Sequence, residues 1–361
     1  MPVMEQQQNV GAGVYAFRIT RTINSGFIAL MISVGHRTGL FDVLAVLPPS
    51  TSADIASTAG LSERYVREWL AALVSAHIID YDPRTATYFL PIEYAAVLAR
   101  SAGPDSLAPA AQLLSALASI EDLVVAAFRS GGGVAPEAYD SVNEVLSGEK
   151  WQRLDDSTID ALLEALPGMR ERLVAGATVL DIGCGDGALL TTMARMFPRS
   201  SFRGVDVSIE AVERANERIE EGALRNVEFL LGDGATIDDP HSYDLVLALE
   251  SIHEHGFPRV ALRHIAASLK RDGLFVMQEL AISSHLSRAV DHPFASMLYA
   301  VSTMHSVPVA LAQEGEAFGR VWGEERAMQL LVEAGFRNVR IERGVLDDAR
   351  YFAIASEVAR S

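Results

Sequence analysis

The chain has 361 residues, of which 49% are hydrophobic and 21% charged. This length and composition are typical of a globular protein of about two or three domains, and they exclude a disordered, collagenous or coiled-coil chain. Lysine and arginine total 30 against 47 acidic residues, a net charge of −17. Nucleic acid and anionic membrane surfaces are therefore not expected partners, because both are bound through clustered positive charge.

Further features of the sequence bear on its location. No window reaches the ~18 uncharged apolar residues of a membrane span. The first residues, MPVMEQQQNVGAG, have neither the basic start nor the apolar run of a signal peptide. The single cysteine, Cys184, cannot form an internal disulfide or a cysteine-based zinc site. We expect a cytoplasmic protein.

The first part of the chain is predicted to be helical. The segment Gly26–Val34 is apolar nearly all round, which favours a helix buried against a partner chain. A short helix is predicted to be capped by Thr51 or Ser52 and to end at Gly60. A longer amphipathic helix begins after Ser62.

Residues 78–90 alternate around an Asp-Pro turn, as a β-hairpin would. Three helices followed by a hairpin predict a winged-helix domain over residues 1–100. Residues 101–160 are predicted to form a second helical unit, a linker or lid. Within it, Gly131–Tyr139 is either a flexible lid over the cofactor or a plain linker.

From about residue 171 onward, short apolar strands alternate with helices. This spacing predicts βαβ units and a largely parallel sheet over residues 161–361. The chain ends with two β-runs that have no full helix between them, which predicts a terminal hairpin. The predicted strands are TVLDIG, FRGVDV, VEFLLGD, YDLVLALES, GLFVMQEL, NVRIERGV and YFAIASEV.

A glycine-rich turn follows the first of these strands, in the segment Val179–Leu190 (VLDIGCGDGALL). Gly183, Gly185 and Gly187 allow a tight turn and a close approach of the backbone to a ligand. Asp206 ends the next strand, where an acid can accept hydrogen bonds from both hydroxyls of a ribose. The register of these residues predicts a nucleotide-containing cofactor.

Acidic residues distinguish the cofactor further. Asp233 ends the third strand, where a carboxylate can bind the amine of adenine. Asp181 precedes the glycine turn and Asp186 lies within it. These acids would repel a pyrophosphate but suit an ammonium group and a sulfonium, the two charges of S-adenosylmethionine.

These motifs, with GDGA and the terminal hairpin, resemble a class I S-adenosylmethionine-dependent methyltransferase over roughly residues 170–361. Together with the winged-helix part, the chain resembles the dimeric small-molecule O-methyltransferases of plants and bacteria. The resemblance implies an α/β fold, a Rossmann-like seven-stranded sheet with a terminal antiparallel hairpin, preceded by an α-rich winged-helix domain. It also implies a homodimer, a small-molecule substrate and a cofactor site that includes Asp181, Gly183, Cys184, Gly185, Gly187, Asp206, Val207, Asp233, Gly234 and Glu250.

The same resemblance implies a general base. In these O-methyltransferases a His–Asp pair follows the fourth strand, and here His253 matches the histidine and Glu254 the aspartate. The family places an orienting carboxylate at the end of the fifth strand, which Glu279 matches. A second family glutamate, shortly before the last long helix, is missing, since this chain reads GRVWG at Gly319–Gly323.

Alternatives remain open at this stage. The HEH sequence at residues 253–255 invites a metal site, but its spacing differs from the H-E-x-x-H of zinc proteases, and we expect no metal. His305, in an insertion at residues 281–322, is a further candidate catalytic residue, just before the point where a helix is predicted to end. Met297, Tyr299, Met304 and Trp322 are candidate pocket or core residues.

Methylation of a small aromatic or polyketide-like molecule is the leading hypothesis. The second is an enzyme that keeps the cofactor but catalyses decarboxylation, hydroxylation or cyclisation. The third is a ligand-sensing DNA-binding regulator, which the balanced charges of Glu63, Arg64, Arg67 and Glu68 on the third helix disfavour.

Overall fold

The structure is a computed structural model that describes residues 12–151, 156–345 and 350–358. The expectation about a signal peptide concerns residues that lie largely outside this range. The chain divides into two units, Met1–Ser119 with Ser141–Gln152 and Ile120–Asp140 with Arg153–Ser361. The predicted boundaries after residues 100 and 160 stay a prediction.

The described strands and helices alternate from β3 at Thr178 onward, as predicted for the chain after about residue 171. The helices are α1 (Ala12–Thr38), α2 (Leu40–Val46), α3 (Ser52–Ala59), α4 (Glu63–Ser75), α5 (Ile92–Leu98), α6 (Ala110–Ala118), α7 (Glu121–Ser130), α8 (Asp140–Trp151), α9 (Asp156–Glu164), α10 (Met169–Ala175), α11 (Ala188–Met196), α12 (Ile209–Gly222), α13 (Pro258–Ser268), α14 (Leu286–Ala289), α15 (Ala295–Val301), α16 (Val307–Ala312) and α17 (Gly323–Glu333). The strands are β1 (Asp80–Asp82), β2 (Thr87–Phe89), β3 (Thr178–Ile182), β4 (Ser201–Asp206), β5 (Val227–Leu231), β6 (Tyr243–Leu249), β7 (Leu269–Leu280), β8 (Phe336–Arg343) and β9 (Arg350–Val358).

The first unit confirms the winged-helix prediction. Thr51 is the residue that caps α3, through a capping box with Asp54, and α3 ends at Gly60 in a left-handed conformation. Strands β1 and β2 pair antiparallel as the wing. On α4, Arg64 pairs with Glu68 and Arg67 with Glu63, so its basic side chains are already engaged by acids.

Helix α1 is apolar on more than one face. Ile28, Met31 and Ile32 are half-buried and pack against the core of their own unit. The segment Gly26–Val34, which the sequence predicts to contact a partner chain, therefore packs largely within its own unit. Exposed apolar side chains of α1 lie mainly upstream of this segment, at Val14, Tyr15, Phe17, Ile19 and Ile23, while Phe27 and Val34 are exposed within it.

The second unit contains one seven-stranded sheet in the order β5-β4-β3-β6-β7-β9-β8. Neighbours from β5 to β7 are parallel, and β9 pairs antiparallel with both β7 and β8. The predicted fold, including its terminal hairpin, is confirmed. The strand order reverses between β3 and β6, so their carboxyl ends flank the crevice where open α/β sheets bind ligands.

One helical stretch, Ala295–Ala312, is long and apolar enough to cross a membrane by length and composition, and 44% of it is buried inside the protein. Two bent helix pairs, Gly13–Thr38 with Leu40–Val46 and Ala110–Ala118 with Glu121–Ser130, pass the same test together. The expectation that no stretch would qualify was wrong by this measure.

The segment Gly131–Tyr139 packs closely within the second unit. The Val134 N–H donates to Pro308 O at 3.1 Å, and the Tyr139 hydroxyl donates to Met304 O at 2.9 Å. A Cβ on Gly133 would lie 2.0 Å from Ala312 N, so only glycine permits this approach.

We predict that Tyr139→Phe lowers the free energy of unfolding by about 1 kcal/mol, because it removes one buried hydrogen bond and little volume. Chemical denaturation with intrinsic fluorescence measures the change. Tyr65→Phe, at an exposed tyrosine of α4, is the control and should be neutral. An equal stability of both variants would contradict the docking of this segment.

Candidate active site

The glycine turn after β3 is built as the sequence predicts. Gly183, Gly185 and Gly187 all have positive φ, at 72°, 56° and 72°. A Cβ on Gly183 would lie 2.4 Å from Ser251 Cβ, and one on Gly187 would lie 2.3 Å from a ring carbon of Phe229. The turn is therefore pressed against the end of β6, where the Ser251 hydroxyl also donates to Ile182 O at 2.6 Å.

Asp206 stands at the end of β4 and organises the glycine turn. Its two carboxylate oxygens accept hydrogen bonds from Gly185 N at 2.8 Å and Ser208 N at 2.9 Å. Each oxygen keeps a further lone pair, so the carboxylate can still accept bonds from a ribose. Its neighbour Val207 is exposed. This placement fits the predicted role in cofactor binding.

Asp233 at the end of β5 has a partner that the sequence did not suggest. Its Oδ1 accepts from Ala235 N and lies 2.8 Å from His255 Nδ1. The His255 contact is the main reason that the pKa of Asp233 lies below its usual range. Gly234 is buried beneath this pair, where a Cβ would lie 3.0 Å from His255 Cε1.

Three other predicted cofactor residues are buried. Asp181 lies within β3, and Cys184 is buried in the turn, as expected of a small filler residue. Glu250 follows β6 with a φ of 52°, and its carboxylate is bound by Arg320 and Arg350. Arg320 and Arg350 thus engage Glu250, and its role in cofactor binding stays a prediction.

The HEH turn, residues 253–255, sends its three side chains to different partners. His253 Nδ1 lies 2.7 Å from Glu279 Oε2, and both side chains are buried. His253 Nε2 lies 3.5 Å from Glu254 Oε1. His255 binds Asp233 instead. The arrangement brings the predicted base and its orienting carboxylate together at the carboxyl ends of β6 and β7.

The charges around His253 favour its protonated form. Burial by itself would lower the pKa of His253, but the carboxylates of Glu279 and Glu254 raise it to about 9. Desolvation beside His253 would raise the pKa of Glu254, although 41% of its side chain is exposed, yet His253 and Arg320 hold that pKa well below its usual range. His253 thus needs a pH above neutrality to become a proton acceptor.

Arg320 is a site residue that the sequence analysis missed. It lies in the GRVWG segment and donates to Glu254 Oε1 at 3.2 Å and to Glu250 Oε2 at 3.4 Å. Arg350 donates to the other oxygen of Glu250. Since these partners are distant in sequence, no local pattern marks them.

His305 lies at the end of a short π-helical turn, Ser302–Ser306, that joins α15 to α16. The predicted helix end before Pro308 is therefore wrong, because the chain continues through the π turn into another helix. His305 is buried, and its ring lies edge-on to Tyr139 with centroids 4.9 Å apart. Burial lowers the pKa of His305 to about 4, although Glu254 opposes the effect, so the ring is neutral.

The other aromatic and methionine candidates differ in how far their side chains are buried. Trp322 is buried and stacks on Phe318, as a core residue would, while Met297 is exposed. Within residues 12–151, 156–345 and 350–358, no group of three His, Cys, Asp or Glu side chains could hold a metal ion. The side chains of the HEH turn contact Glu279, Asp233 and Arg320.

Two families match this chain. Residues 26–100 match the Rv2258c-like winged HTH domain, and residues 173–335 match the methyltransferase domain. The chain belongs to the S-adenosylmethionine-dependent methyltransferases with an N-terminal winged helix-turn-helix domain. The cofactor of this family is S-adenosylmethionine, and the site fits it, because Asp206 beside the glycine turn keeps lone pairs that can accept hydrogen bonds from a ribose.

One relative of this methyltransferase is an N-methyltransferase. The (S)-coclaurine N-methyltransferase of Thalictrum flavum subsp. glaucum is 33% identical over 130 residues, which cover 35% of this chain and 36% of that protein. The chain thus aligns with only about a third of that relative's length.

Solved structures resemble the whole chain. The mitomycin 7-O-methyltransferase MmcR superposes with a TM-score of 0.68 and 20% identity, covering 96% of this chain and 98% of that one. Human N-acetylserotonin methyltransferase, solved with S-adenosylmethionine, gives 0.63 and 19%, covering 98% and 99%. At these identities the likeness establishes the fold.

We predict that Asp206→Ala weakens S-adenosylmethionine binding about ten- to a hundredfold, because it removes charge-assisted hydrogen bonds worth ~1.5–3 kcal/mol. Isothermal calorimetry with S-adenosylmethionine measures the affinity. Asp238→Ala, at an exposed aspartate after β5, is the matched control. Wild-type affinity in the Asp206 variant would remove this residue from the cofactor site.

Proposed function

We propose that this methyltransferase methylates a hydroxyl oxygen of a small, aromatic or polyketide-like molecule, with His253 as general base. The observation that carries the proposal is the buried contact between His253 Nδ1 and Glu279 Oε2 at 2.7 Å. It stands at the end of β6, two residues after the serine that touches the glycine turn. MmcR and human N-acetylserotonin methyltransferase, which share the fold, support a small-molecule substrate.

S-adenosylmethionine supplies a methyl group activated by its sulfonium. The chain's part is to position the acceptor and to take its proton. Glu279 fixes the His253 ring through Nδ1, so Nε2 is the atom that accepts the hydroxyl proton. Glu279 then stabilises the imidazolium that forms, as a buried carboxylate does in other histidine bases. The His253 side chain is fully buried, with Glu254 Oε1 3.5 Å from its Nε2.

An amine acceptor is the second candidate, favoured by the 33% identity to a coclaurine N-methyltransferase. A neutral amine already carries the lone pair that attacks the methyl group, so it does not require deprotonation beforehand. The two candidates therefore differ in their dependence on His253.

We predict that His253→Ala lowers turnover about 100- to 10,000-fold while cofactor affinity stays near wild type, because a positioned base contributes that factor. Release of S-adenosylhomocysteine with a panel of phenols and amines is the assay. His77→Ala, at an exposed histidine of the first unit, is the control. Wild-type turnover in His253→Ala would place the base elsewhere, at His305, or indicate an acceptor that needs none.

The pH dependence gives a separate prediction. Only the neutral ring accepts a proton, so wild-type turnover should rise with pH through about 9, the raised pKa of His253. Glu279→Gln removes a negative charge that favours the protonated ring. It should therefore move the rise to lower pH, with a smaller loss of turnover than His253→Ala. An unmoved profile in Glu279→Gln would contradict the pairing; the exposed Glu221→Gln is the control.

We also propose that the chain is a homodimer through α1. Tyr15, Ile19, Ile23 and Phe27 repeat every four residues and form an exposed apolar stripe on one face of this 27-residue helix. An apolar stripe of this length is the expected mark of an interface, and a second copy supplies a matching one.

The stripe is tested by light scattering. Wild type should be a dimer at micromolar concentration, and Ile19→Ser/Ile23→Ser should be a monomer, because two apolar anchors leave the interface. Phe17→Ser, on another face of the same helix, should stay dimeric. A monomeric wild type would overturn the proposal.

A further inference from the structure

Beyond the Glu279 contact, a second set of charged side chains surrounds the turn that contains His253. Glu254 Oε1 lies 3.5 Å from His253 Nε2 and accepts a hydrogen bond from Arg320 at 3.2 Å. The Arg320 side chain is only 11% exposed, and it also reaches the buried Glu250. The Glu254 side chain is 41% exposed, so it is the accessible end of this network.

We propose that Arg320 is a positioning residue for His253. Glu250 fixes the Arg320 guanidinium, which holds the Glu254 carboxylate beside His253 Nε2 and offsets the negative charge of Glu254. The proposal rests on the role of His253 as the base. It gives a function to the segment Gly319–Gly323, where the family resemblance led us to expect a second glutamate. Here the second carboxylate near the histidine is Glu254, and an arginine stands where the glutamate was expected.

The charges explain why an arginine is needed. Three carboxylates, Glu250, Glu254 and Glu279, meet two guanidinium groups, Arg320 and Arg350, in a largely buried region. One negative charge is left in excess, and a protonated His253 neutralises it. Without Arg320 the excess would double, and the pKa of His253, already above its ordinary value, would rise further, so that less of the neutral ring is present to act as a base.

The geometry also argues against a merely structural ion pair. Glu250 already has Arg350 as a partner, so Arg320 is not needed to neutralise it. Arg320 is instead placed to reach both Glu250 and Glu254, which fixes the guanidinium at one end and presents Glu254 to His253 at the other. His305 is a further titratable group near Glu254 and Arg320, and its ring is neutral because burial lowers its pKa to about 4. Tyr351 lies opposite Glu279 in the sheet.

The test reads His253 directly, without an acceptor. Full-length protein labelled with ¹⁵N-histidine is titrated by NMR, and the His253 signal is identified by its loss in His253→Asn. Arg320→Gln should move the midpoint of the His253 titration about one pH unit higher, and Glu254→Gln should move it about one pH unit lower. Arg320→Lys should stay near wild type, because it keeps the charge.

Turnover gives the matching kinetic readout. At neutral pH Arg320→Gln should lower kcat about tenfold, with little change in the cofactor KM. The reason is that a tenfold higher proton affinity of His253 leaves about a tenth as much of the neutral ring. Arg337→Gln, at an exposed arginine of β8, is the matched control and should change neither measurement.

A His253 titration that does not move in Arg320→Gln, or that moves to lower pH, would overturn the proposal. If Arg320→Gln does not fold, Glu254→Gln decides, and an unmoved titration there overturns it equally. These results are distinct from failure of the proposed function. Wild-type turnover in His253→Ala would reject the base, whereas the NMR titration reports the coupling to Arg320 in either case.

Discussion

The arrangement of this active site depends on two buried carboxylates that must be neutralised. Glu250 and Glu279 lie at the ends of neighbouring parallel strands, with 5% and 1% of their surface exposed. A buried charge without a partner is strongly destabilising, so each carboxylate fixes the cation that faces it. Glu279 fixes the ring of His253, and Glu250 fixes Arg320 and Arg350. These contacts connect the turn between β6 and α13 to β7, to β9 and to the segment before α17.

The sequence predicts the sheet and the residues that end its strands well because their signals are local. Each buried strand is a short apolar run, and the residue that ends it points to the same edge as the end of its parallel neighbour. Asp206, Asp233 and Glu279 could therefore be placed without coordinates. The three glycines were recognisable because left-handed backbone and close approach exclude other residues there.

The rest of the site depends on contacts that leave no local pattern. Arg320 is 66 residues from Glu254, and Arg350 is 100 residues from Glu250. A π turn is formed by tertiary packing, so the sequence suggested a helix end near His305 instead. Similarly, the sequence of Gly26–Val34 predicts an apolar helix but does not indicate which surface that helix contacts. The folded unit shows which residues of α1 are half-buried and which form the exposed stripe.

The charge balance also constrains the acceptor under the proposed function. A neutral hydroxyl gives its proton to His253, and the imidazolium that results neutralises the excess carboxylate. An acceptor that carries its own carboxylate or phosphate would add negative charge to an edge where acids already outnumber arginines, in a chain of net charge −17. The added negative charge would hold His253 more firmly in the protonated form. It would thereby oppose transfer of the acceptor's own proton to His253. Neutral phenols and polyketide hydroxyls avoid this conflict, because their charge appears only as the proton reaches Nε2.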